Sequence, residues 1–161
     1  MNVDRAETVK VAREEYNSYD GKKCRHDYFD EITGGYLVPS RQRIEHAKIS
    51  KNEKAKFDKE FEQALVFAKN GFRMELLKEG SRISLPDARC NNILADLKRT
   101  SSHNNIVNYA KKAIHEQHAE MVLFQFDKET DAIYKQLEVV KNKGIKAYYF
   151  FSGKENKIYQ L

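Results

Sequence analysis

The run Met121-Val-Leu-Phe-Gln-Phe126 constrains the fold more than any other part of the chain. It shows no polar alternation and reads as a strand buried on both faces, as in parallel sheets. Helical patterns flank it. Residues 104–117 carry Ile106, Val107, Ala110, Ala113 and Ile114 on one face, and residues 130–141 form a further helix. That helix leads through Gly144 to an apolar strand at 145–151, and residues 157–161 close the sheet.

The upstream pattern extends the same alternation. Residues 54–70 form an amphipathic helix with Phe57, Phe61, Ala64, Leu65 and Ala68 in its stripe, stopped by Gly71. Strands follow at 72–77, 83–88 and 93–98, the last two joined by a tight Asn91-Asn92 turn. The fold class is therefore α/β, with a mixed central sheet flanked by helices. Nearer the N-terminus, Val3, Ala6, Val9 and Ala12 mark a helix over 3–16, followed by a basic connector at 20–25. A hairpin over 29–38 turns at Thr33-Gly34-Gly35, and the charged stretch 40–52 is either helix or loop. Residues 1–50 read as an N-terminal extension and 51–161 as the main domain.

Composition limits the function classes. Of 161 residues, 40% are hydrophobic, enough for one core, and Lys plus Arg outnumber Asp plus Glu by 29 to 24. A net charge of +5 suits a polyanionic partner without requiring one. Cys24 and Cys90 form no ligand or disulfide framework, which points to a reducing compartment. No apolar stretch is long enough to span a membrane. The first 19 residues lack the apolar centre of a signal peptide, so an exported form would depend on a signal carried elsewhere.

The chemistry concentrates in Pro86-Asp87 and Asp96-Leu97-Lys98. Asp96 and Lys98 stand two apart on one strand, so they leave the same face. Asp87 is expected on the preceding strand of the same hairpin. Two carboxylates and an ammonium at one sheet end suit phosphodiester hydrolysis. Carboxylate oxygens hold Mg2+ with several waters, the ion acidifies a water, and the lysine stabilises added negative charge. Glu60, at the edge of the apolar stripe of the 54–70 helix, is the candidate third ligand, and Glu62 points away.

These residues resemble the PD-(D/E)XK motif of the restriction-endonuclease-like superfamily. The order helix, three strands, helix, strand over 54–126 is similar to that superfamily's core (α-β-β-β-α-β), here with extra C-terminal α-β elements. The resemblance implies Asp87, Asp96, Lys98 and Glu60 as catalytic residues, with Glu60, Asp87 and Asp96 holding Mg2+ or another divalent ion such as Mn2+ or Zn2+. The run Ala95-Asp96-Leu97-Lys98-Arg99, with Asn104-Asn105-Ile106 and Ala113-Ile114-x-x-Gln117, further resembles the C-terminal tRNA-nuclease toxin domains of CdiA proteins and related mobile-element domains. Covering residues 54–151, it implies a tRNA-cleaving endonuclease active in the cytoplasm of a target cell, delivered within a larger secreted protein. It also implies a cognate immunity protein. Residues 1–50 would then be a delivery or cap segment. Nothing in the residues themselves separates RNA from DNA; tRNA is favoured through the resemblance.

Acid-x-Lys alone is a weak signal, since Asp20-Gly-Lys22 and Glu155-Asn-Lys157 also fit it. Arg99, Ser102, His103 and Lys111 are candidates for nucleic-acid contact, although ordinary capping by Ser102 or Asn104 and solubilising lysines such as Lys111 and Lys112 account better for most of them. Gln117 either reaches the site or is a satisfied core residue. His115 and His118 are three apart, which does not suit a zinc-protease helix, and Cys24-Arg-His26 is too thin for zinc. Tyr148, Tyr149, Phe150 and Phe151 fit a strand's core better than base stacking. Two rival classes stay open. One is a metal-free RNase of the barnase/EndoU/colicin/RelE group, using Lys98, His103 and Ser102; the other is a non-enzymatic nucleic-acid-binding module.

Overall fold

The computed structural model describes residues 3–78 and 85–161. The chain forms two compact units, Met1–Lys78 with Ala88–Asn92, and Glu79–Asp87 with Ile93–Leu161.

In the first unit the elements are α1 (Val3–Ser18), β1 (Tyr28–Phe29), β2 (Tyr36–Pro39), α2 (Arg41–His46), α3 (Lys51–Lys69), β3 (Arg73–Leu76) and β4 (Ala88–Cys90). β1 pairs antiparallel with β2, β2 parallel with β3, and β3 antiparallel with β4, a mixed arrangement. The expected hairpin over 29–38 is present. At its turn, a Cβ on Gly35 would lie 1.9 Å from the Ala68 carbonyl oxygen, so the hairpin backbone lies directly on α3. The stretch 40–52 resolves into α2, which Ser40 caps by accepting the Arg43 N–H at 3.1 Å, and the start of α3.

Ser50 caps α3 by accepting the Glu53 N–H at 3.1 Å, and Gly71, at φ +93°, takes the chain out of the helix. The buried face of α3 is Phe57, Gln63, Ala64, Phe67 and Ala68. It is rotated from the expected stripe, leaving Phe61 and Leu65 half-buried while Phe67 turns inward. Residues 1–50 supply α1, β1, β2 and α2 to this unit. Tyr16 of α1 packs with Tyr36, Val38 and Cys24. Glu15 pairs with Arg73 at 2.8 Å and accepts the Tyr36 hydroxyl. The expected connector at 20–25 carries an isolated bridge from Cys24 to Ser40.

Asn91 and Asn92 stand at φ +50° and +66°, the two left-handed residues a tight two-residue turn demands. The Asn91 side-chain oxygen accepts the Arg73 N–H at 2.9 Å, which helps to hold that turn.

In the second unit the elements are β5 (Ile93–Thr100), a 3-10 turn (His103–Asn105), α4 (Ile106–His115), β6 (Met121–Phe126), α5 (Asp131–Asn142), β7 (Ala147–Phe151) and β8 (Tyr159–Gln160). β5, β6 and β7 run parallel in that order and β8 closes antiparallel on β7, as expected for the C-terminal residues. Thr130 caps α5 by accepting the Ile133 N–H at 3.2 Å. Val122, Phe124 and Phe126 meet Ile106, Ala110 and Ala113 of α4 and Ile133, Leu137 and Val140 of α5. Leu123 and Phe150, on the opposite face, are also fully buried, so β6 is covered on both sides as its sequence requires. The chain is thus α/β with mixed strands and flanking helices, and the order α-β-β-β-α-β runs from α3 to β6.

The expected strand at 83–88 differs. Residues 83 and 84 lie outside the described residues, and the pairing begins only at Ala88, opposite Leu76.

Candidate active site

The parallel register sets Asp96 beside Val122, Lys98 beside Phe124 and Thr100 beside Phe126. These three β5 side chains therefore lie on the face that α4 and α5 cover. Asp96 is 0% exposed, and neither of its carboxylate oxygens accepts a hydrogen bond. The Lys98 ammonium stands 2.9 Å from Oδ2. It attracts the carboxylate as a charge but does not meet it in hydrogen-bonding geometry, which is how an ion pair and an unsatisfied acceptor coexist on one atom.

Two groups of the α4 region hold Lys98. Its Nζ donates to Gln117 Oε1 at 3.3 Å and lies 5.6 Å from the Tyr109 ring centroid. Asp87 completes the group: its Oδ2 accepts the backbone N–H of Leu97, the residue between Asp96 and Lys98, at 3.0 Å. The structure therefore brings Asp87, Asp96 and Lys98 together. It corrects the placement of Asp87, which occupies a bend immediately before β4 rather than a strand. Its carboxylate is positioned by a backbone amide.

Glu60 belongs to the first unit. It lies on α3, and its Oε2 accepts the Arg43 Nη2 at 2.8 Å. Arg43 is 1% exposed, with its carbon Cζ 5.2 Å from the Phe57 ring centroid and Nη1 without a hydrogen bond. Sequence reasoning missed Arg43, since an arginine in a charged stretch gives no sign of burial. Tyr109 was missed as well.

The candidate nucleic-acid contacts separate. Arg99, on the other face of β5, is bound to Asp127, with Nη2 2.8 Å from Oδ1. The same Asp127 oxygen accepts the Ser152 hydroxyl at 3.2 Å, and Ser152 accepts from Gln125. Ser102 caps the 3-10 turn by accepting the Asn104 N–H at 3.2 Å. His103 is exposed at the start of that turn, and Lys111 is exposed on α4. Tyr149, Phe150 and Phe151 are core residues and present no stacking platform.

A buried carboxylate with no hydrogen bond, next in sequence to the amide that holds a second carboxylate, fits a hard cation, which takes oxygen ligands and retains water. Among the described residues no group of three or more His, Cys, Asp or Glu side chains is arranged to hold a metal ion. The fit is thus to a cation held by one or two carboxylates.

Comparison with solved structures adds the fold. A chain of the CdiA-CT/CdiI toxin and immunity complex from Burkholderia pseudomallei is similar to this one, with a TM-score of 0.51 and 16% identity over 64% of this chain and 81% of that one. The two share a fold. No family model matches the sequence, and no curated protein matches it.

Proposed function

We propose that the chain is a toxin domain that acts as a metal-dependent endonuclease on RNA, with tRNA favoured over DNA. The observation that carries this reading is Asp96, a carboxylate sealed from solvent without a hydrogen bond, facing an ammonium and adjoined by Asp87. Its compensating partner is Lys98, and a buried carboxylate with so few partners is often a ligand-binding or catalytic group. The fold likeness to a chain of a toxin and immunity complex, and the motif resemblance at residues 86–98, support the toxin role.

In this mechanism Asp96 and Asp87 would hold the cation. A bound divalent ion supplies an acidified water and neutralises charge on the phosphate. Lys98, held by Gln117 and Tyr109, orients the attacking water or stabilises the added negative charge. The Leu97 N–H fixes the Asp87 carboxylate. We rank Mg2+ or Mn2+ above Zn2+, because zinc sites usually take three or four protein ligands. Glu60 belongs to the first unit, where Arg43 engages its carboxylate, and the proposed mechanism does not draw on it. Of the nucleic-acid contacts, His103 and Lys111 rank above Arg99 and Ser102, whose side chains are already engaged. The proposed chemistry draws its side chains from Asp87 and from residues 96–117, all within the second unit.

The proposed partner is an immunity protein, and the proposed place of action is the cytoplasm of a target cell after delivery. No helix among the described residues is long and apolar enough to cross a membrane.

The test is incubation of the purified chain with total tRNA and with plasmid DNA, in Mg2+ and in excess EDTA, beside Asp96→Ala. The expected result is tRNA cleavage that requires both Mg2+ and Asp96. Cleavage that persists in EDTA transfers the chemistry to a metal-free mechanism through His103. Absence of cleavage with every divalent ion leaves a binding module.

A further inference from the structure

We infer that the second unit carries a separate groove for the phosphate backbone of the nucleic-acid substrate, at the end of the sheet where β6 and β7 begin. The inference rests on the nuclease reading for its choice of ligand. A cleft of about 520 Å³ opens there between the C-terminal end of α4 and the chain that enters β7. Its rim carries Lys111, His115, Lys143 and Lys146 against a single acid, Glu120. All five are exposed, and none of the four bases makes a side-chain hydrogen bond or ion pair among the described residues.

The helix macrodipole explains only part of this charge. Bases in the last turn of a helix offset its negative end. That accounts for His115, at the end of α4, and for Lys143, the C-cap of α5. It does not account for Lys111, which precedes the last turn of α4, or for Lys146, which follows α5 and Gly144. The floor of the cleft is apolar, with Ile114 and Ile145 beneath the cations. Low-dielectric walls strengthen the attraction of the rim for an anion.

The α4–β6 connection ties the groove to the active site. Gln117 accepts from Lys98, and Ala119 and Glu120 line the cleft. Across two peptide units the Cα atoms of Gln117 and Ala119 stand no more than about 7.6 Å apart. The groove thus begins within two residues of the glutamine that holds Lys98. Unpaired lysines contribute affinity there without reading sequence.

The test measures binding of fluorescein-labelled tRNA to the full chain in EDTA, over a range of salt concentrations, with RNA integrity checked on a gel. The variants are Lys143→Glu/Lys146→Glu, the conservative Lys143→Arg/Lys146→Arg, and Lys51→Glu/Lys69→Glu on exposed positions of α3. All are surface changes, and circular dichroism checks the fold. Reversal at 143 and 146 is expected to weaken binding at least about tenfold and to reduce the slope of log K against log salt by about 1.4 to 1.8, the contribution of two phosphate contacts. The arginine pair is expected to bind like the parent, and so is the α3 pair.

Equal affinity and slope in the 143/146 reversal overturn the inference, and so does an equal loss in the α3 pair. No binding of RNA by the parent overturns it too. Unchanged RNA affinity with lost binding to polyglutamate assigns the cleft to an acidic protein surface instead, against the inference. The nuclease reading fails separately. RNA held through the groove but never cleaved leaves the groove standing, whereas Asp96-dependent cleavage with a charge-insensitive groove removes the groove alone.

Discussion

A carboxylate that is fully buried and accepts no hydrogen bond should be among the least favourable groups in a folded chain. Asp96 is such a group, and its compensation comes from Lys98 at 2.9 Å. Two predictions follow from the pair. Removing one partner of a buried ion pair costs about 3–5 kcal/mol, because the other charge is left uncompensated. Lys98→Met should therefore destabilise the chain strongly in urea unfolding, and Asp96→Asn added to it should recover part of the loss. A double variant no more stable than Lys98→Met alone would show that the two charges are not coupled. The second prediction concerns the cation. At Mg2+ roughly ten times its Kd, mass action adds about 1.4 kcal/mol to the native state, which for a chain of this size is a rise in Tm of about 3–6 °C. Asp96→Ala should abolish that rise. A rise of equal size in both proteins would place the ion elsewhere.

At the scale of elements, local signals that coincide with caps and periods were legible, and long-range ones were not. The α5 helix was readable because Thr130 caps it and Ile133, Leu137 and Val140 repeat at helical spacing. The shared face of Asp96 and Lys98 was readable from the period of a strand, whereas Gln117 stayed open between the site and the core until packing set it against Lys98. The position of Asp87 was not, because Ile83 and Leu85 resemble strand residues while the pairing starts at Ala88. Tyr109 and Arg43 depend on which neighbours packing brings to them, and no short window contains that information. Gly35 shows the same limit, since its requirement comes from α3, more than thirty residues away in sequence. A methyl group at Gly35 meets the Ala68 carbonyl oxygen at 1.9 Å, which is backbone and cannot rotate aside. Gly35→Ala should therefore cost about 2–3 kcal/mol or more in chemical unfolding, as overpacking does, against about 1 kcal/mol for loss of the α3 cap in Ser50→Ala. Equal small effects would mean that the hairpin shifts off α3 without penalty.

For the molecule as a whole, the tyrosines set the behaviour at high pH. Burial raises the phenol of Tyr36, and its hydrogen bonds with Glu15 and Tyr19 raise it further. Burial likewise raises Tyr16 and Tyr19 in the first unit and Tyr149 in the second. The hydrogen bond to Glu129 is the main cause for Tyr134. A raised phenol keeps its proton in the native state at a pH where the unfolded chain, with tyrosine near about 10, has lost it. The native state then binds more protons, so stability falls as pH rises. The contribution is intact below about pH 10 and is lost progressively above it. Lysines titrate in the same range, so Tyr36 is isolated by difference. Tyr36→Phe removes the hydrogen bond to Glu15 and should cost about 1–2 kcal/mol at neutral pH. Because phenylalanine does not titrate, the gap between parent and variant should shrink by about 1.4 kcal/mol for each pH unit above about 10. Urea unfolding of both proteins from neutral to strongly alkaline pH measures the gap directly. A gap that stays constant through that range would mean that Tyr36 ionises as readily in the native chain as in the unfolded one, and that the Glu15–Tyr36–Tyr19 network does not hold its proton.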